Sequence, residues 1–473
     1  MGSRTLYVKL RAKGVCEMEE RIHLSEHFTY KKLFKFVMPS IFMMVFISIY
    51  GIIDGVFVAN FTGDNGLPFQ ALNLIFPLIM ILGSFGFMLG TGGNAEVSKA
   101  LGEGDNDRAN QVFSMLIYAT LVIGAVLAVI GVFIARPVAE LFAAKEQDLS
   151  PEEKTRLIEY CTIYARIILS ALPAFMLQNA FQGFFVTAEK PKLGLYVTLL
   201  AGVGNMLFDA LFVVCCQWGL VGAAIATALN QIIGGVLPLL YFARKNNSLL
   251  RLGKGRFDLK VFVRVCVNGM SELIGNVTMS IVAILYNAQL MQYISGLDGV
   301  HAYGVLQYIG FIFVAIYIGY AVGCAPIIGF NYGAENRAEL KNVYVKSLKI
   351  MTVFGIVMTA IAIVFARPLS AIFVQDNDLL DLTTRGLRIY SICFLFTGLN
   401  IFGSSFFTAL SNGLLSLLLS LFRTFVCQAV AVMLLPLIWG VDGIWAAVIV
   451  AELFTLILTI ILWIAKRKKY GYM

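Results

Sequence analysis

Long, nearly uninterrupted apolar stretches recur along the chain, parted by short polar turns. Each is close to or above the ~18 residues a helix needs to cross a ~30 Å hydrocarbon core. The runs are continuous rather than alternating, which excludes a membrane barrel and predicts α-helices. Twelve spans are expected, at 35–60, 69–95, 109–135, 158–186, 192–216, 219–242, 262–292, 300–328, 346–366, 387–410, 414–437 and 441–465.

The pattern repeats. Ala135-Arg136-Pro137 followed by Leu141-Phe142 returns as Ala366-Arg367-Pro368 followed by Ile372-Phe373, at an offset of 231, and Gly92 and Gly102 map onto Gly323 and Gly333 at the same offset. Trp218-Gly219-Leu220-Val221-Gly222 returns as Trp439-Gly440-Val441-Asp442-Gly443 at 221, the slippage falling on the extra stretch Lys145 to Arg156. Six spans per copy keep both copies in one orientation, a parallel repeat about an axis along the membrane normal. The fold expected is an all-α integral membrane protein, twelve transmembrane helices in two six-helix pseudo-symmetric halves.

Composition supports this: 59% of residues are hydrophobic and 14% charged. The net charge of +8 would suggest nucleic acid if it were clustered for that purpose. Instead 28 of the 36 Lys and Arg fall on one side of the predicted topology and 8 on the other. The excess marks the cytoplasmic side and places both termini there. The organisation is then a cytoplasmic tail at 1–30, a first half at 31–243, a basic cytoplasmic linker at 244–260, a second half at 261–466 and a cytoplasmic tail at 467–473. Residues 1–17 read as an extension or a mis-called initiation site ahead of the more ordinary start at Met18, and no cleavable signal is expected in 1–30. The cysteines read as buried hydrophobes, without a Cys-x-x-Cys pair, and the three histidines show no metal-ligand spacing.

Two loops match. Gly102-Glu103-Gly104-Asp105 and Asn331-Tyr332-Gly333-Ala334 are read as sharp turns, each with an Asp or Asn to cap the next helix. Gly86-x-x-x-Gly90 and Gly319-x-x-x-Gly323 place small residues on one helix face for close packing.

Ionisable residues at membrane depth are costly and therefore candidate functional groups. Asp54 lies about two-thirds through the first span, fifteen residues after Pro39, which favours a bend there. Asn205 and Asp209 share one face of the fifth span. If Asp54 and Asp209 converge, the pair would hold a proton, or a Na⁺ with the Asn205 carbonyl and the Thr227 hydroxyl completing an oxygen shell. The second half has Ala283 and Val448 where Asp54 and Thr227 would fall; its acids are Glu272 and Glu452, and Arg423 reads as a snorkelling residue near the cytoplasmic end of span eleven. Gln178, Gln182, Glu272 and Met279 are candidate lining residues of a substrate cavity. No nucleophile, zinc or nucleotide motif is present, so no enzyme and no cofactor are expected.

Ile53-Asp54-Gly55-Val56-Phe57-Val58, the Gly102 and Gly333 loops, Ala188-Glu189-Lys190-Pro191-Lys192 and Trp218-Gly219-Leu220-Val221-Gly222-Ala223-Ala224 occur in the order of one family. Over about residues 28–466 the chain resembles the multidrug and toxic compound extrusion (MATE) family, its MepA-like bacterial branch most. The resemblance implies an inner-membrane antiporter that exchanges H⁺ or Na⁺ for cationic amphipathic compounds by alternating access, and so a contributor to antibiotic resistance. It assigns cation coupling to Asp54, Asn205, Asp209 and Thr227, and the bend to Pro39. The expected partners are small-molecule substrates and the lipid bilayer, with no nucleic acid and a monomeric chain. Two rivals stay open: a lipid-linked oligosaccharide flippase of the same superfamily, and an uncoupled channel.

Overall fold

The computed structural model describes residues 22–62, 66–144, 150–294, 298–374 and 376–472. The reading of 1–17 as an extension, and Lys145 in the inserted stretch, lie outside them. Among the described residues there are helices and no strands.

The first half comprises α1 (Tyr30–Phe61), α2 (Leu67–Gly102), α3 (Asn106–Ala143), α4 (Pro151–Ser170 and Leu172–Thr187), α5 (Pro191–Cys215) and α6 (Gly219–Ala243). The second comprises α7 (Leu259–Tyr293), α8 (Asp298–Gly333), α9 (Arg337–Val364), α10 (Asn377–Ala409), α11 (Gly413–Trp439) and α12 (Val441–Tyr470). Eleven of these are long and apolar enough to cross a membrane unbroken, and α4 makes the twelfth as a pair bent by 57°. The span read as continuous at 158–186 thus breaks at Ala171. Pro173 stands at the start of the second piece, where a proline's missing amide costs nothing. The copies also differ at Ala-Arg-Pro: Arg136 lies inside unbroken α3, whereas Ala366–Ala371 forms a short separate helix.

Two buried apolar clusters correspond to the two bundles, one built on α2–α6 and the other on α8–α12. Glycines make the seam between them. A Cβ on Gly92 would strike the Val265 carbonyl, and one on Gly269 the Met88 carbonyl, so α2 and α7 cross backbone to backbone. Gly319 and Gly323 receive Ile41 and Val37 of α1 in the same way. Gly102 and Gly333 are not turn residues, contrary to the sequence reading. They end α2 and α8 and lie against each other's helix, Gly102 on the Phe330 carbonyl and Gly333 on the Lys99 carbonyl. The left-handed backbone of the first loop sits at Gly104, inside the turn the sequence reading named, and that of the second at Glu335, outside it. Asp105 caps α3 as expected, while Asn336 caps α9, because Asn331 is spent on the Ile327 carbonyl.

These contacts concentrate at the basic face, which is closed. Glu96, buried in α2, takes Arg108 and Arg264 from the two halves at 3.1 and 3.2 Å. A short segment before α1 adds a second tie. The half-buried Glu189 carboxylate accepts from the Leu24 amide and binds His23 Nδ1, both at 2.8 Å. Glu339 in the other half does the same for the Phe28 amide at 2.8 Å and His27 Nδ1 at 2.6 Å. Between them Glu26 bonds Lys32 and the His23 amide, which hold its carboxyl below the usual range. Away from this face α1 loses its cover, and Ile49, Val56 and Phe61 are exposed.

Candidate functional site

Three helices of the first half bring the cluster together. Gly202 lets α5 approach α1 so closely that a Cβ there would press on Phe46 and Tyr50. This sets Asp54 of α1 beside Asp209 of α5, their carboxyls within hydrogen-bonding reach of one another. Thr227 of α6 donates its hydroxyl to Asp54 Oδ1 at 3.3 Å. Asn205 and Asp209, one turn apart, are both buried, at 1% and 0% exposure. Asp54 and Thr227 are half-buried. Directly after Asp209 the helix widens into a π-turn over Ala210–Cys215, a local distortion found often beside functional groups.

Among the described residues, Asp209 is the one carboxylate with buried oxygens that lack a hydrogen-bond partner. Neither oxygen of Asp209 has a hydrogen-bond donor among the described residues, and the Asn205 amide nitrogen lacks an acceptor. Buried polar groups are as a rule paired, and a bare buried carboxylate is costly. Its neighbour Asp54 can donate to it only when protonated. Two carboxyls, an amide and a hydroxyl form a hard-oxygen set suited to a proton or to Na⁺. No group of three His, Cys, Asp or Glu with metal-binding arrangement occurs among the described residues.

Three residues that the sequence did not single out adjoin the set. The Tyr164 hydroxyl of α4 lies within bonding reach of Thr227, and the Tyr50 hydroxyl within reach of Asn230. Asn230 follows Thr227 by three residues, on the same face of a helix whose other amide is Gln231, and that spacing was a readable signal. Tyr164 carried none, since tyrosine is common in such helices.

Pro39 lies inside α1, which continues through it. Gln178 is buried against Gly234 of α6, a packing contact between α4 and α6, and Gln182 is half-buried. Glu272 and Met279 share a face of α7 opposite the exposed apolar row Val263, Ile281 and Ile284. Both are exposed.

Arg423 corrects the sequence reading. It lies ten residues into α11, in a π-turn over Phe422–Cys427, and does not reach back to the basic face. Its Nε donates to Glu452 Oε1 of α12 at 2.7 Å, and Asn400 of α10 donates to Glu452 Oε2 at 2.7 Å. Thr459 in turn donates to Asn400 Oδ1 at 3.2 Å. The second half therefore holds a full polar network, invisible in the sequence because its four members come from three separate helices.

This arrangement defines a class: a polytopic helical membrane protein of two repeated bundles that meet at one closed face, with ionisable groups at membrane depth in each. Within that class the chain belongs to the MatE family, whose model matches residues 39–211 and 273–434. It is therefore a member of a family of multidrug efflux transporters. It is 26% identical over 391 residues to the multidrug export protein MepA of Staphylococcus haemolyticus (strain JCSC1435), covering 80% of this chain and 83% of that protein. With MepA of Staphylococcus aureus (strain MSSA476) it shares 20% over 453 residues, 95% of this chain and 97% of the relative. Among solved structures the fold matches a MATE protein in complex with MaL6, with a TM-score of 0.85, 19% identity and coverage of 95% and 98%. It also matches an outward-facing multidrug resistance MATE family transporter of the MOP superfamily, with a TM-score of 0.84, 20% identity and the same coverage.

Proposed function

We propose that the protein exports cationic, amphipathic small molecules in exchange for inward-moving H⁺ or Na⁺, by alternating access of its two halves. The observation that carries this is the pair Asp54 and Asp209, of which Asp209 has both oxygens buried without a donor. A mobile cation is what such a pair lacks. Asp54 and Asp209 supply the charge, and Asn205 and Thr227 complete the oxygen shell. Glu272 and Met279, exposed on one face of α7, are the candidates for contact with substrate. Closure at the basic face corresponds to the state open to the outside, with both termini cytoplasmic and the chain a monomer in the inner membrane.

Ion entry from outside neutralises the carboxyl pair and removes the repulsion between two carboxylates held close together on α1 and α5. Pro39 gives α1 a place to bend in response, since its missing amide weakens the helix there. One charge crossing ~150 mV yields ~3.5 kcal/mol, enough for a drug gradient of a few hundredfold. Exchange of one monovalent cation for another leaves only the ion gradient as the driving force.

Purified protein in liposomes loaded with ethidium tests this. A pH gradient or a Na⁺ gradient is imposed separately and dye efflux is followed for the wild type and Asp54→Asn. Efflux driven by one gradient and lost in the variant is the expected result. Near-normal efflux in Asp54→Asn would remove the assignment, and no efflux under either gradient would favour a lipid-linked oligosaccharide flippase.

A further inference from the structure

The second half carries a feature that a purely cation-binding cavity does not need: a guanidinium held at membrane depth. Arg423 has 22% of its side chain exposed, and its partner Glu452 has 2%. Charge at this depth is expensive and is retained where it meets a partner or a ligand. The partner accounts for only part of it. Glu452 is fully satisfied, one oxygen by Arg423 Nε and the other by Asn400. The bond uses Nε alone, so among the described residues the two terminal nitrogens of Arg423 keep their donors. Those nitrogens form the planar fork that grips a carboxylate with two parallel hydrogen bonds.

Glu272 of α7 lies within electrostatic reach of Arg423. No hydrogen-bond donor among the described residues reaches its carboxylate, and it sits on the face of α7 opposite the exposed apolar row Val263, Ile281 and Ile284, with Met279 two turns on. Arg423 of α11 and Glu272 of α7 thus place one positive and one negative group within electrostatic reach of each other. Glu452 and Asn400 hold the arginine in place from behind. The π-turn over Phe422–Cys427 departs from the register of an ordinary helix and so helps set the direction of this side chain.

We propose that Arg423 is a specificity-determining residue that binds the anionic group of a zwitterionic amphipathic substrate, while Glu272 receives its ammonium. This rests on the export reading above and names a substrate class within it. The apolar part of the molecule lies along Met279, whose flexible thioether accommodates varied shapes. Glu452 and Asn400 are positioning residues: they orient the guanidinium and touch no substrate. A substrate with only a cationic group uses Glu272 and leaves the arginine fork unfilled. A charge-assisted pair of this kind distinguishes ligands by ~10- to 100-fold.

The test uses a matched pair of compounds, an aromatic amine bearing a carboxylate and its ethyl ester, which keeps the ammonium and loses the anion. Their dissociation constants are measured on the full-length purified protein by calorimetry, and their efflux in liposomes alongside ethidium. Wild type is expected to bind the acid at least ~10-fold more tightly than the ester. In Arg423→Gln combined with Glu452→Gln, which removes both charges and keeps two amides in contact, the ratio is expected to fall to near one. Arg423→Lys, a point charge without the fork, is expected to lie between. A purely structural role would shift both affinities together and leave the ratio unchanged, and that result overturns the proposal. Equal binding of acid and ester by wild type overturns it as well. If neither compound nor ethidium is exported while the acid-over-ester binding preference persists in wild type and vanishes in the double variant, the export reading fails and this one stands.

Discussion

The two halves descend from one repeated pattern and yet treat charge at membrane depth in opposite ways. In the first, Asp54 and Asp209 meet with no basic residue to compensate them, and Asp209 is buried without a donor. In the second, Glu452 is as deeply buried but is matched by Arg423 and Asn400. The first half can be completed only by something that arrives, a proton or a cation. The second is completed internally and is left with the unused terminal nitrogens of Arg423 and the unpaired carboxylate of Glu272 within electrostatic reach of each other. Duplication supplied two equivalent frames, and one resident guanidinium is enough to give them different work.

The contrast is sharpest in stability. Arg423→Met alone leaves Glu452 as a buried, unpaired charge and is expected to cost ~3–5 kcal/mol, read as a lowered unfolding midpoint in detergent. Combining it with Glu452→Leu, which removes both charges, is expected to recover most of that loss; a double variant as unstable as the single one would break the comparison. Asp209→Asn is expected to act in the reverse sense. It removes an uncompensated charge, so the midpoint should hold or rise while gradient-driven efflux is lost, and a fall of several degrees would show that Asp209 is paired like Glu452. The amides give the smallest expected difference. Asn400→Ala withdraws a donor from Glu452 Oε2 and should cost ~1–3 kcal/mol. Asn205→Ala withdraws nothing from a satisfied partner and should leave stability nearly unchanged while raising the ion concentration needed for half-maximal efflux.

Much of this was readable from the chain. Asp54 stood out because no basic residue lay near it in an apolar span, and Asn205 and Asp209 because their spacing of four puts them on one helix face. Their meeting, and the contact with Thr227, needed the packing of α1, α5 and α6. Arg423 was misread for the same reason. From position alone an arginine ten residues into a span can be taken to reach for the interface, whereas Glu452, which holds it, comes twenty-nine residues later on another helix. Gly102 and Gly333 were read as turn formers because a glycine followed by polar residues has that signature. In the fold they serve as contact points between the halves, and Gly104 and Glu335 carry the left-handed backbone. His23 and His27 lacked metal-ligand spacing, as the sequence indicated, but their glutamate partners lie 166 and 312 residues away and could not be inferred.

What the sequence by itself determined is the medium, the helical spans, the duplication and the residue types that must be explained at membrane depth. Those follow from local hydrophobicity and periodicity, which act over a few turns of helix. Only the tertiary structure decided which charges face one another, which are neutralised, and that both bundles close on the glycine seam at the basic face. Such outcomes depend on contacts between distant segments, and the energy of a buried charge is set by whatever group stands within a few ångströms of it, not by its neighbours along the chain.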